Sequence, residues 1–407
     1  MLLQELEAAV FVPAKAVIAI AQLGEKSPAE QALIFNDLKD YNCIPYRGGT
    51  SESSTLTKSS ARSKTHKTTG VNIRWIEKHL YAPALTIILT SLSPEDRGEM
   101  DELLDSIRAI NADCARRGIK SLLLLSPSGS AHVNIQEVNE RISRSTNVPS
   151  SSIFLLAESQ LPMIRSFVSL NYDRYYKECI KRYRKRMYAL EEGPERVPIY
   201  ASLRYQFKIA YMELLLGDRN GALRTFNDGY SEVVEHYRRL DRSEDQIAFL
   251  DSVKWMCDVI ALKIVSILLT KNEKYDADEY FSGHICWLTA AHGSQVELLR
   301  WKVTLYDAMS KLLMETVSIS PSFAKWYGDQ RHAGYYLLQA ARNAITLQSI
   351  IPSGMASLED TQKTIWYLDQ ALSEYSRSNH SQGHIIQIHR LRVSQYLSSQ
   401  NVNTAKE

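Results

Sequence analysis

Two patterns of apolar and polar positions divide this chain. Along residues 71–160 short apolar runs alternate with amphipathic stretches, whereas after Met163 apolar side chains recur at every third or fourth position. "ALTIILTSL" (Ala84 to Leu92) is a continuous β-branched run and predicts a buried strand. A helix should follow: Ser93 is placed as N-cap, Pro94 as first helical residue, and Asp96 completes a capping-box-like spacing. Met100, Leu103, Leu104, Ile107 and Ile110 give that helix one apolar face, and Gly118 can end it in a left-handed conformation. "IKSLLLL" (Ile119 to Leu125) predicts a second strand, Gln136 to Ser143 a second helix, and "SIFLL" (Ser151 to Leu155) a third strand. This alternation implies βαβ units and a parallel sheet.

The later pattern is helical throughout. Tyr172, Tyr176, Cys179, Tyr183, Met187 and Leu190 form one stripe, with lysines and arginines crowding the other faces. Pro198 opens the next helix and Gly217-Asp218 turns the chain back, with Ala222 and Phe226 placed as in a tetratricopeptide pair. Further along, "FAKWYGDQRHAGYYLLQAAR" (Phe323 to Arg342) gathers Trp326, Tyr327, Gln330, Tyr335, Leu338, Ala341 and Ile345 on one broad face, with Gly334 and Ala340 allowing close helix approach. That spacing reads as a packing seam. Long helices on short loops stack as antiparallel neighbours. The expected fold is therefore mainly α, an α-solenoid of antiparallel, tetratricopeptide-like pairs preceded by a small α/β unit with a parallel sheet. Its parts are an N-terminal segment 1–46 with mixed helical signals, a flexible Ser/Thr/Lys-rich loop 47–70, the α/β unit 71–160, the solenoid 161–400 and a disordered tail 401–407.

Composition changes this picture little. The chain has 407 residues, 44% hydrophobic and 23% charged, which is ordinary for a globular protein. A formal charge of +2 supplies no global field toward nucleic acid or anionic lipid. Cys43, Cys114, Cys179, Cys257 and Cys286 lie far apart without a CxxC pair, which argues against a disulfide frame or zinc site. The apolar run Ala8 to Ala21 is broken by Pro13 and Lys15 and lacks a basic leader, so it does not read as a signal peptide. "WMCDVIALKIVSILL" (Trp255 to Leu269) contains Asp258 and Lys263 and falls short of the roughly 20 residues of a membrane span. It reads as a buried core helix.

Candidate chemistry is sparse. A parallel sheet admits a second reading, a nucleotide-dependent switch with a helical partner-binding domain. The loop "SPEDRG" after the first strand, however, sets Glu95 and Asp96 where phosphate needs amides and a cation, and "SPSGS" after the second matches no fingerprint. His380, His384 and His389, and His284, Cys286 and His292, are loose groups without His-Glu-x-x-His spacing. No Gly-x-Ser-x-Gly elbow occurs, so the sequence is read as that of a non-enzyme needing no cofactor. Lys181, Arg182, Arg184, Lys185 and Arg186 form a candidate charged-partner surface on the tyrosine-striped helix. The near-zero net charge argues against nucleic acid as that partner.

Several segments resemble a known family. "QRHAGYYLLQAA" (Gln330 to Ala341) is similar to the Gln-His-Pro-Gly-Tyr-Tyr segment of the foie gras domain, which belongs to the eleventh subunit of the TRAPP tethering complex. "LRYQFKIAYMELLLGDRNGALRTFNDGYSEV" (Leu203 to Val233) resembles that domain's Arg-x-Gln-Phe-Lys stretch and the turn after it. "YYKECIKRYRKR" (Tyr175 to Arg186) and "NIRWIEKHLYAPALTIILTSL" (Asn72 to Leu92) resemble its entering basic helix and the start of its α/β unit. The likeness spans roughly residues 70 to 350, and Ala333 stands where the family has Pro. It singles out Gln206, Phe207, Lys208, Trp287, Trp326, His332, Gly334, Tyr335 and Tyr336 as packing or interface residues. It implies a short or truncated scaffold subunit, cytoplasmic and peripheral to early secretory membranes at the ER–Golgi intermediate and cis-Golgi, acting in ER-to-Golgi transport and autophagy. The implied partners are other TRAPP subunits, indirectly a Rab GTPase, and a peripheral membrane surface.

Overall fold

The computed structural model describes residues 10, 15–23, 36, 38–46, 83–92, 97–127, 135–191, 199–240, 243–289, 294–319, 332–351, 358–377 and 382–404. The loop expected at 47–70, the N-cap at Ser93, and Pro198, His292, Trp326, Tyr327, Gln330 and His380 lie outside the described residues. The chain is mainly helical, with a five-stranded parallel sheet near its N-terminus and a helical repeat after it. Contacts divide it into two compact units, Pro13–Thr68 with Asn72–Ala222, and Met1–Val12 with Thr69–Val71 and Leu223–Glu407.

The sheet runs β1 (Val17–Leu23), β2 (Asn42–Pro45), β3 (Leu85–Leu92), β4 (Lys120–Pro127) and β5 (Ile153–Leu155), in spatial order β2-β1-β3-β4-β5 with every pairing parallel. Residues 1–46, read as mixed helical signals, thus contribute two strands. The strand β1 was hard to read because it is central and buried on both faces, so "VIAIAQL" has no alternation. The edge strand β2 is four residues ending in a proline, too short to show a period.

Helices cover both faces. After β3 comes α1 (Arg97–Arg116), and after β4 comes α2 (Ile135–Thr146). Ile88 of β3 and Leu123 and Leu125 of β4 pack against Leu104, Ile107 and Cys114 of α1 and Ile142 of α2. Their neighbours in the strands, Ile87, Leu89, Leu122 and Leu124, pack on the opposite face against Ile164 and Val168 of α3 (Leu161–Glu191). Successive strand residues point to opposite faces, so an all-apolar run is what a sheet covered on both sides requires. The helix α1 ends as expected, with Gly118 at φ +70 and the Ile119 amide donating to the Cys114 carbonyl at 2.9 Å.

The remaining helices are α4 (Ile199–Leu215), α5 (Arg219–Arg238), α6 (Ser243–Thr270), α7 (Lys274–Thr289), α8 (Gln295–Ile319), α9 (Ala333–Ile350), α10 (Leu358–Arg377) and α11 (Gln382–Thr404). The last runs past residue 400, where a tail was expected. Between α4 and α5, Gly217 takes φ +76 and the Asp218 carboxylate accepts from the Gly221 amide at 2.8 Å, so one residue closes a helix and the next caps its successor.

Directions within the repeat follow from which residues meet. Tyr230 of α5 lies near Tyr280 of α7 and Tyr237 near Trp287, so contacts advance together and these alternate helices are parallel. Consecutive helices run oppositely. His332 before α9 meets Tyr375 near the end of α10, while Gln348 near the end of α9 donates to Thr364 near the start of α10 at 3.0 Å. Arg392 of α11 likewise reaches back to Asp369 of α10 at 2.7 Å, while Tyr375 stacks with His384. Antiparallel neighbours with parallel alternates are the geometry of stacked helical hairpins.

Candidate interaction surface

The family-like residues fall on helix seams. Phe207 is buried and stacks with Tyr211, beside half-buried Gln206. The Lys208 ammonium lies 5.2 Å from the Tyr183 ring centre and 5.1 Å from that of Tyr205. Burial, reinforced by Arg204 and Arg186, draws its pKa down to about 8. Trp287 is half-buried, with its ring edge-on to Tyr230 and Tyr237.

The stretch opening α9 works as a cap and a wedge. His332 is buried, and its Nδ1 accepts from the Gly334 amide at 3.1 Å. A Cβ on Gly334 would fall 2.6 Å from the His332 ring and 3.0 Å from Glu374 Cβ on α10, so only glycine fits beneath that cap. Tyr336 is 2% exposed, donates its hydroxyl to Asp278 of α7 and meets Phe281 edge-on. Tyr335 and Ile345 are half-buried, while Leu338, Ala340 and Ala341 are buried. The buried face here is centred on Tyr336, Leu337 and Ala340 together with the expected Leu338 and Ala341, so it is turned from the face the spacing placed on Tyr335 and Ile345.

A polar quartet lies deeper in the repeat, with Asp258, His284 and Trp301 buried and Tyr230 half-buried. The Asp258 carboxylate of α6 accepts from Trp301 Nε1 of α8 at 3.0 and 3.1 Å. His284 Nε2 of α7 is 3.0 Å from the same carboxylate, and His284 Nδ1 is 2.6 Å from the Tyr230 hydroxyl of α5. A carboxylate only accepts, so Nε2 carries a proton, and in the neutral imidazole Nδ1 then accepts from Tyr230. The order Asp–His–Tyr has the form of a proton relay, but the His284 side chain is fully enclosed. Together the bonds of these four residues join four helices. Cys286 and His389 are exposed, and His384 is stacked on Tyr375.

The five basic residues singled out on α3 do not form one patch. Lys181, Arg184 and Lys185 join Lys177 along a groove of about 750 Å³ against α4, with Ile180, Tyr188 and Leu216 as its apolar parts. Arg182 and Arg186 turn to the other flank. Helical geometry permits this, since Lys177, Lys181, Arg184 and Lys185 are linked by steps of three or four, as Arg182 and Arg186 are. Within the groove Arg184 bonds Glu213 at 2.9 Å; Glu213 is almost enclosed, whereas Arg184 is half exposed. Four cations there face two carboxylates, Glu213 and Asp218.

No family model matches this chain, and no curated protein matches it.

The groove makes a positively rimmed trough with an exposed aromatic, Tyr188, beside it. Sequence reading found its cations and missed Tyr188, one turn further along α3, and Glu213 and Leu216, which only the α3–α4 pairing brings alongside. Asp258 and Lys263 were visible as lone polar residues in an apolar helix, a signal for buried partners that named none. Among the described residues no helix is long and apolar enough to cross a membrane.

Proposed function

We propose that this protein is a non-catalytic scaffold subunit of a TRAPP-type vesicle-tethering complex, acting in ER-to-Golgi transport and autophagy at early secretory membranes. One observation carries the reading. The described family-like residues that are large or buried serve helix seams, while the basic helix within the same likeness keeps its cations outside. A scaffold uses side chains in this way, spending aromatics on a stiff repeat and leaving a charged trough for a neighbour. The trough's charge and apolar parts suit an acidic segment of another subunit carrying an apolar tip. A Rab GTPase would be engaged through the assembly, and the membrane peripherally.

Affinity purification at endogenous level tests the assignment. TRAPP subunits are expected to co-purify with the wild type and to be lost with Lys181→Glu/Lys185→Glu. Recovery of the wild type as a lone monomer would count against it.

The strand order favours a second reading, a nucleotide-dependent switch. In β2-β1-β3-β4-β5 the winding reverses between β1 and β3, and open parallel sheets bind ligands beyond the carboxyl ends of strands at such a reversal. Calorimetry with GTP, ATP and NAD distinguishes the readings: heat at millimolar ligand favours the switch, and none removes it.

A further inference from the structure

The second flank of α3 holds a small, strongly positive pocket. Arg117, just past the end of α1, joins Arg182 and Arg186 around a concavity of about 180 Å³. Buried Tyr176 and Met212 contribute to its lining, and half-buried Tyr183 does so as well. No carboxylate is among its described lining residues. The nearest countercharge on the α1 side, Asp113, is shared among Arg116 at 3.1 Å, Arg117 at 3.3 Å and the Tyr46 hydroxyl at 2.9 Å. Arg182 donates to the Cys179 sulfur at 3.1 Å, a weak acceptor that an anion would readily replace.

Three guanidinium groups around one small volume repel one another unless an anion enters. Each presents a rigid fork of donors matched to two oxygens of a phosphoryl group. One of these cations is felt further in, where Arg186, after burial and Arg204, helps to lower Lys208. The size restricts the ligand further. Pockets for drug-sized molecules start at about 300 Å³, so this one takes a compact anion and leaves a nucleoside outside. A dianion answers three cations better than a carboxylate does. Arginine clusters of this kind are a recurring means of reading phosphorylated groups.

We propose that the pocket formed by Arg117, Arg182 and Arg186 binds a phosphate monoester, its phosphoryl group seated among the three guanidiniums and its stem leaving past Tyr183. The site is separate from the α3–α4 groove and stands whether or not the protein is a tethering subunit. Free phosphate, a small phosphate ester and a phosphorylated side chain share this chemistry.

Calorimetric titration of the full chain with inorganic phosphate and with O-phosphoserine, at matched ionic strength and with acetate as control, tests it. Saturable binding of both phosphates is expected, with O-phosphoserine at least as tight and acetate without effect. If free phosphate alone binds, the seat for an ester stem is overturned. Arg182→Gln/Arg186→Gln is expected to weaken binding on the order of a hundredfold, as two charge-assisted bonds are lost. Lys181→Gln/Lys185→Gln, on the other flank, is expected to bind as the wild type does. Arg186→Lys keeps the charge, removes the fork and disturbs folding least, and about a tenfold loss is expected from it. Unchanged affinity in either arginine variant, equal binding of acetate, or attachment to phosphoinositide vesicles without binding of soluble phosphate would each overturn the assignment.

Discussion

The sheet unit and the helical repeat are held together by different means. Around the sheet the core is built largely from Ile, Leu and Val, as in Ile87, Ile88, Leu122 and Leu123. In the repeat, buried polar groups reach between segments: Asp258 to His284 and Trp301, Tyr336 to Asp278, and Lys263 to the Val10 carbonyl at 2.8 Å. A parallel sheet sets its own register, because strand pairing fixes which residues lie opposite. Helices share no backbone bonds and slide or rotate among similar ridge-and-groove packings. Directional side-chain bonds supply in the repeat what the backbone supplies in the sheet. The groups involved are costly to bury singly, so each selects an arrangement in which its partner is present.

The sharpest way to break this comparison is to remove a pin. Asp258→Ala leaves His284 and Trp301 without their acceptor, and a loss of about 3–5 kcal/mol is expected by urea unfolding. A loss below 1 kcal/mol would mean that the quartet holds nothing. Tyr336→Phe keeps the ring and deletes the hydroxyl donated to Asp278, for an expected cost of about 1.5–3 kcal/mol. The aliphatic counterpart, Ile88→Val in the sheet, should cost about 0.5–1.5 kcal/mol. If the sheet change proves the more damaging, the contrast fails.

Acidity sharpens the same point. Burial lowers Lys263 to about 8, with Glu315 opposing. Between that value and its ordinary 10.5 the unfolded chain binds more protons at this site than the folded one. The Lys263 contribution to stability therefore rises with pH across that window and is at its lowest below it. Between pH 8 and 9.5 the change in unfolding free energy should be more positive in the wild type than in Lys263→Met; equal changes would refute it. The smallest effect belongs to the surface. Lys181→Glu/Lys185→Glu should move stability by less than about 0.5 kcal/mol, so a larger shift would show that these side chains belong to the fold rather than to a docking face.

What could be read from the chain alone follows the same divide. The strands β3, β4 and β5 and the helix ends at Gly118 and Gly217 were legible because their signals are local. The strand β1 was not, because a strand buried on both faces loses its period, and β2 is too brief to have one. The cations of α3 were legible as a run. Their separation onto two flanks is permitted by helical geometry, but Arg117, Glu213 and Leu216 come from other elements, and no spacing along the chain announces them. The Asp258 quartet joins positions on four helices, so the sequence shows its members one at a time, each unexceptional.

The bond from Lys263 to the Val10 carbonyl links residues 253 positions apart. A ribosome adding about 5–20 residues per second takes about 13–50 s to cover that interval. Throughout it Val10 has been made and the lysine that will hold it has not. The beginning of the helical unit must therefore wait, unspent, while the whole sheet unit is synthesised between the two halves of the contact.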